Sequence, residues 1–226
     1  MAVGESFSYR YTWYQQIIGT DFIMTGIVFH QLNPAKTKSF VKRVNKMNPD
    51  YRFQEKTVKI LAHNLPFAPG WSRYDCEDYS TMPHQKHVFI ANDDDIKAVS
   101  YTSDPVANVF GQVDLAIDET TIGDYLHFYL MALNTGGENL RPLLSVDDVA
   151  WREDLSPMAR KSLDKELLSY PVIKKTISGF EVSMAVVFRQ SLMVVTCSVT
   201  KDGKVNFIDR AVIIEDLPII NDLTDI

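Results

Sequence analysis

The sequence predicts an α+β fold. An N-terminal β-hairpin and helix come first, and a buried helix packed on a C-terminal antiparallel β-meander follows. Three observations carry this reading. Phe180, Val182, Met184, Val186 and Phe188 alternate with more mixed residues, and Asp202-Gly203 sits between two further apolar runs, the pattern of strands joined by a tight hairpin turn. Ile122, Leu126, Tyr129 and Leu133 repeat at helical spacing, with Tyr125, Phe128, Leu130 and Met131 filling most of the remaining circumference, as in a buried helix. Residues 34–47 place Phe40, Val44 and Met47 on one stripe, widened by Val41, with lysines opposite.

The first strand is expected where Phe7, Tyr9, Tyr11 and Trp13 alternate with Ser8, Arg10 and Thr12, and 22–30 reads as its returning partner after Gly19-Thr20-Asp21. Asn33 caps the helix that follows, Pro34 suits its first turn, and Pro49 ends it. Residues 56–62 form a strand. The stretch 63–85, with Pro66, Pro69, Gly70 and Pro83, is expected to be a long irregular loop of the kind that carries function. Strands at 87–91 and 96–101 flank an Asn92–Asp95 turn, and short apolar runs cover 106–110 and 113–117. The buried helix starts after Thr120 or Thr121 and stops at Gly136-Gly137. A short strand at 141–146 precedes a third helix opened by Ser156-Pro157, and three meander strands close the chain. The whole is read as one domain, 1–226, with a sub-boundary near 111–120. A helix wrapped by a curved sheet would resemble the cystatin-like or NTF2-like architectures, which carries no functional weight.

A chain of 226 residues with 46% hydrophobic and 23% charged residues can bury a core and is neither disordered nor repetitive. No apolar stretch reaches the length of a membrane span, and no signal sequence is visible. Two distant cysteines imply no disulfide framework, so the expected setting is a reducing cytoplasm. The net charge of −6 argues against general nucleic-acid binding. Nucleotide-loop, serine-hydrolase, zincin, EF-hand and C-x-x-C motifs are all absent from the sequence.

The expected function is therefore a soluble, non-catalytic binding or protein-interaction domain, with a protein or small-molecule partner and no cofactor or resident metal. Two alternatives are carried by particular residues. Cys76 lies beside Asp75, Glu77 and Asp78, with His84 and His87 following. A cysteine-dependent hydrolase or transferase would use Cys76 as nucleophile, His84 or His87 as base, and Asp78 to orient the base. The string Asp75-Cys76-Glu77-Asp78-Tyr79 resembles the cysteine motif of bacterial transglutaminase-like cysteine peptidases, which implies that Cys76 opens a long helix. Pro83 would cut such a helix short. The same side chains at Cys76, Asp78, His84 and His87 are types that ligate metal. The second alternative is single-stranded nucleic acid stacked on Phe7, Tyr9, Tyr11 and Trp13 beside Lys36, Lys42, Arg43 and Lys46. Between Pro34 and Ile60 there are eight basic residues against two acidic ones. Finally, Tyr125, His127 and Tyr129 would line any pocket between the buried helix and its sheet.

Overall fold

The computed structural model describes residues 29–82, 84–99, 109–111, 113–135, 138–153 and 155–219, with the backbone alone at 13–17, 20–24, 134–135 and 138–139. It is an α+β structure with two five-stranded antiparallel sheets.

The N-terminal hairpin pairs β1 (Trp13–Ile17) with β2 (Thr20–Met24). The first large sheet has the order β3 (His30–Gln31), β4 (Val58–Asn64), β5 (Ser72–Asp78), β6 (Gln85–Ala91), β7 (Ile96–Val99). Helix α1 (Pro34–Met47) covers one face. Its start is as expected: the Asn33 side chain accepts from the Lys36 N–H at 2.9 Å and Pro34 occupies the first turn, satisfying a donor that the helix itself cannot. The buried stripe is Thr37, Phe40, Val41 and Val44. Met47, expected on this stripe, is exposed. Phe40, Val41, Val44 and Phe53 pack on Ile60, Cys76, Phe89 and Ala91.

The expected irregular loop at 63–85 is a correction. Seven residues of it form β5, the central strand of the sheet. Cys76 therefore sits on a strand and opens no helix, contrary to what the peptidase-like motif implies. The strand is hard to read because its inward residues are Ser72, Tyr74, Cys76 and Asp78 and its outward ones Arg73, Asp75 and Glu77, with no aliphatic side chain on either face. Its neighbours specify it: all seven residues are paired to both β4 and β6. The segment 65–71 remains a loop, closed by backbone bonds from Leu65 to Trp71, Ala68 to Leu65 and Trp71 to Ala68, and a turn beginning at Tyr79 leads from β5 to β6.

That loop joins the halves of the chain. Phe67 is fully buried, with its ring centroid 5.3 Å from Tyr125, 5.6 Å from Phe110 and 5.8 Å from Phe128. Its carbonyl accepts from the Ala116 N–H at 2.8 Å. The runs expected at 113–117 are not a strand: Val113 and Ile117 are buried without regular structure.

Helix α2 (Ile122–Ala132) is buried almost throughout, as expected. Neither Thr120 nor Thr121 caps it in the usual way. The Asp118 carboxylate accepts from the N–H groups of Thr120 (2.7 Å) and Thr121 (3.1 Å) instead. The helix ends at Ala132, earlier than the expected glycine stop. The short pair β8 (Asn134–Thr135) and β9 (Glu138–Asn139) follows.

The second sheet runs β10 (Arg141–Pro142), β12 (Gly179–Phe188), β13 (Ser191–Thr200), β14 (Val205–Ile214), with β11 (Val172–Lys175) also paired to β12. The expected strand at 141–146 is shorter and gives way to a 3-10 turn over Val146–Asp148. The meander is as expected, and α2 covers the face bearing Phe180, Val182, Met184 and Val186. The other face is also covered over half its length. Ala185, Val187 and Leu192 pack there against Leu163 and Leu167 of α3 (Pro157–Leu167), with Val146, Leu217 and Ile219. Strand β14 is the outer edge. Two bulges in its pairing leave Ile208 and Ile213 without register partners, a common way to twist an edge away from further pairing.

Candidate functional site

Pairing places Cys76 directly opposite His87, with Asp78 two residues further along the same inward face. The three side-chain types are thus brought together, with Cys76 and Asp78 buried and His87 partly so. Cys76 is 2% exposed, and burial, followed by the charge of Asp75, pushes its thiol far above the ordinary range. Burial pushes His87 down, opposed by Asp78. Its Nε2 is buried without a hydrogen-bond partner, and its ring lies 5.2 Å from both Tyr51 and Phe53. A thiolate–imidazolium pair needs both charged forms, and burial opposes both. Asp78 is fully engaged as a clamp, accepting from Thr57 Oγ1 (3.2 Å), Ser80 N (2.9 Å) and Ser80 Oγ (2.9 Å). His84 stands apart at the surface, with Nδ1 3.9 Å from Glu77 Oε1 and its ring against Tyr79. Among the described residues no three His, Cys, Asp or Glu side chains converge on a possible metal position.

Tyr125, His127 and Tyr129 do not face one space. Residues 125 and 129 lie one turn apart, whereas 127 points to the other side of the helix. Tyr125 is fully buried and its hydroxyl donates to the Gly203 carbonyl in the β13–β14 turn. Gly203 has φ +85°, and a Cβ there would meet Tyr125 Oη at 2.8 Å and Leu115 Cδ1 at 2.5 Å. Tyr129 is buried in the same core. His127 belongs to the junction with the first sheet. Its Nδ1 has no hydrogen-bond partner, and burial, then Arg73 and His63, push its pKa down to about 3. Arg73 forks onto Asp75 (Nε–Oδ1 2.6 Å, Nη2–Oδ2 3.1 Å) and lies over the rings of Phe29 and Phe128 at 5.7 and 5.6 Å. The cavity beside it, lined by Arg73, Val88, Val99, Phe128, Met131 and Ala132, holds about 20 Å³, room for a single water. One turn away on α2, the Asp124 carboxyl is 5% exposed with Oδ1 unpartnered, and burial raises its pKa to about 6.

A larger opening lies between α1 and the first sheet. It encloses about 460 Å³, with Lys36, Ser39, Phe40 and Arg43 on the helix side and Asn64, Ser72 and Tyr74 among the sheet residues. Lys36, Ser39 or Phe40, and Arg43 fall at i, i+3/i+4, i+7, so they share one stripe of the helix. The Tyr74 ring stacks on Phe40 at 4.3 Å, and Phe40 is held edge-on by Phe89 at 6.0 Å. Arg43 Nη2 donates to the carbonyls of Asn92 (2.8 Å) and Asp95 (2.9 Å). The acidic turn bearing those carbonyls is organised by its own chain: Asn92 Oδ1 accepts from the N–H groups of Asp94 and Asp95. Ser72 Oγ donates to Asn64 Oδ1 at 2.9 Å.

Of the expected basic groove, Lys36 and Arg43 line this opening and Lys42 and Lys46 do not. The expected platform of Phe7, Tyr9, Tyr11 and Trp13 lies outside the described residues, apart from the backbone of Trp13 in β1. Tyr74 was the residue that sequence reasoning missed, because it fell in the stretch read as loop. Its alternation with the charged Arg73 and Asp75 was the one available signal.

No helix among the described residues is long and apolar enough to cross a membrane. Both cysteines are free and buried. No protein-family model, no curated protein and no solved structure matches this chain.

Proposed function

We propose that this chain is a non-catalytic binding domain whose ligand enters the opening between α1 and the first sheet. The carrying observation is that opening itself: about 460 Å³, with a partly buried aromatic ring fixed by stacking and polar groups around it. Those dimensions and that lining are typical of small-molecule sites. The ring gives contact area at little entropic cost, because Phe40, itself braced by Phe89, already holds it. Burial of Cys76 and the engagement of Asp78 weigh against cysteine catalysis. Two buried free thiols support a reducing, cytoplasmic setting.

The test is a fragment screen read by amide chemical shifts in the intact protein and in Ser39→Trp, which fills the opening from an exposed helix position. The expected hits shift residues 36–43 and 72–74, and the variant loses them. Hits confined to other surfaces, or substrate turnover that requires Cys76, would refute the proposal.

A further inference from the structure

The polar groups around the opening specify a ligand chemistry. This step rests on the binding proposal above. We infer that the opening takes a small molecule with a planar ring joined to an anionic phosphate or carboxylate.

The ring is the partner of Tyr74. A phenol face held flat by the stack on Phe40, with an interplanar angle of 28°, favours another flat apolar surface laid against it. The anion is the partner of the helix stripe. Lys36 is exposed, forms no ion pair with the described residues, and lies two turns from Arg43 on one side of α1, about 10 Å along the axis. Arg43 is positioned by two backbone carbonyls, which orient its guanidinium and leave its charge unpaired. The opening therefore has two permanent cations against one carboxylate, Asp93. An oxyanion placed there receives charge-assisted hydrogen bonds, the stronger kind.

The opposite wall points the same way. Ser72 spends its hydroxyl proton on Asn64 Oδ1, so the Asn64 amide nitrogen is left with protons to donate. Ser39 adds a hydroxyl between the two cations. The groups facing the opening are predominantly donors, which suits an acceptor-rich ligand. A neutral ring would use Tyr74 and bring no anion to Lys36 and Arg43.

The experiment is a titration of the intact protein, followed by amide chemical shifts and by calorimetry. The probes are phenyl phosphate, adenosine 5′-monophosphate, adenosine, inorganic phosphate and an oligothymidylate twelve nucleotides long. The expected result is that both ring-bearing phosphates shift residues 36–43 and 72–74. Adenosine and inorganic phosphate should each bind about tenfold more weakly or worse. Lys36→Glu, at an exposed position, should weaken the two phosphates by at least about tenfold while thermal unfolding is unchanged.

Equal binding of adenosine and its monophosphate at these residues would overturn the inference and leave the binding proposal standing. Absence of shifts at these residues with every probe would overturn both. Binding that tightens with oligonucleotide length and far exceeds that of the monophosphate would overturn the small-ligand inference in favour of a nucleic-acid strand.

Discussion

In the first sheet α1 covers one face, and the other, which carries Arg73, Asp75 and Glu77 on the central strand, meets α2 where Ile90 shares its core and Arg73 lies over Phe128. In the meander, α2 covers one face and α3 with its flanking segments covers half of the other. The contrast is one of packing against access. The meander strands β12 and β13 are apolar on both sides over much of their length, so their energy comes from buried area and leaves no room for a ligand. The first sheet packs Phe40, Tyr51, Phe53, Tyr74 and Phe89 between itself and its helix, and an opening remains between the two. On the reading proposed above, the second region serves as support and the first as the place of binding.

Five substitutions sharpen or break that contrast, in falling order of expected effect on stability. Leu192 is fully buried in the cluster between the meander and α3, so Leu192→Ala should cost about 3 kcal/mol in chemical denaturation. Gly203→Ala combines a left-handed backbone with contacts of 2.5 and 2.8 Å to Leu115 and Tyr125. It should cost about 2 kcal/mol or more and loosen the hydrogen bond between α2 and the hairpin turn. A cost below about 0.5 kcal/mol at either position would remove the meander from its role as scaffold.

The third prediction concerns pH and the junction helix. Asp124 ionises at about 6 in the folded chain against an ordinary 3.8. The folded state thus favours the protonated acid, and ionisation withdraws stability as pH rises from about 4 to about 6. Asp124→Asn should gain on the order of 1–3 kcal/mol at pH 7.5 and nothing at pH 3.5. His127 has the opposite sign: its folded value of about 3 lies below the ordinary 6.5. Acid protonates the unfolded chain first, so stability falls as pH drops from about 6.5 towards 3. His127→Gln should flatten that acid limb. Parallel pH profiles for parent and both variants would show that neither group is buried as described.

The smallest effect is at the opening. Lys36→Ala lies on an exposed turn and should change stability by less than about 0.5 kcal/mol. The cysteines give a check of a different kind. With both thiols buried and pushed upward, iodoacetamide at pH 8 should label neither Cys76 nor Cys197 until the protein is denatured. Rapid native labelling of Cys76 would revive the nucleophile reading.

Much of the fold was legible in the sequence, for local reasons. Asn33-Pro34 and Ser156-Pro157 announce helix starts because capping chemistry is written in adjacent residues. Asp202-Gly203 announces the hairpin because the turn requires a positive φ, and Gly203 has one. Strand β5 was not legible because a central strand is specified by partners on both sides, and its own alternation is of polar and aromatic residues. The second covered face of the meander was half visible: Ala185 and Val187 are apolar, but only the path of α3 and the chain to Ile219 shows what meets them. The opening was legible only as Lys36 and Arg43 on a basic helix. Its other wall comes from Asn64, Ser72 and Tyr74, residues that pairing rather than sequence proximity brings there.

The central claim is that the first region recognises a ligand while the meander serves as its support. Hydrogen exchange of the intact protein, with and without saturating phenyl phosphate, tests it most directly. The account predicts slow exchange in β12 and β13 in both states, with added protection on binding confined to α1 and to β5 around Ser72 and Tyr74. Protection gained in β12–β14, or none in α1 and β5, would contradict it.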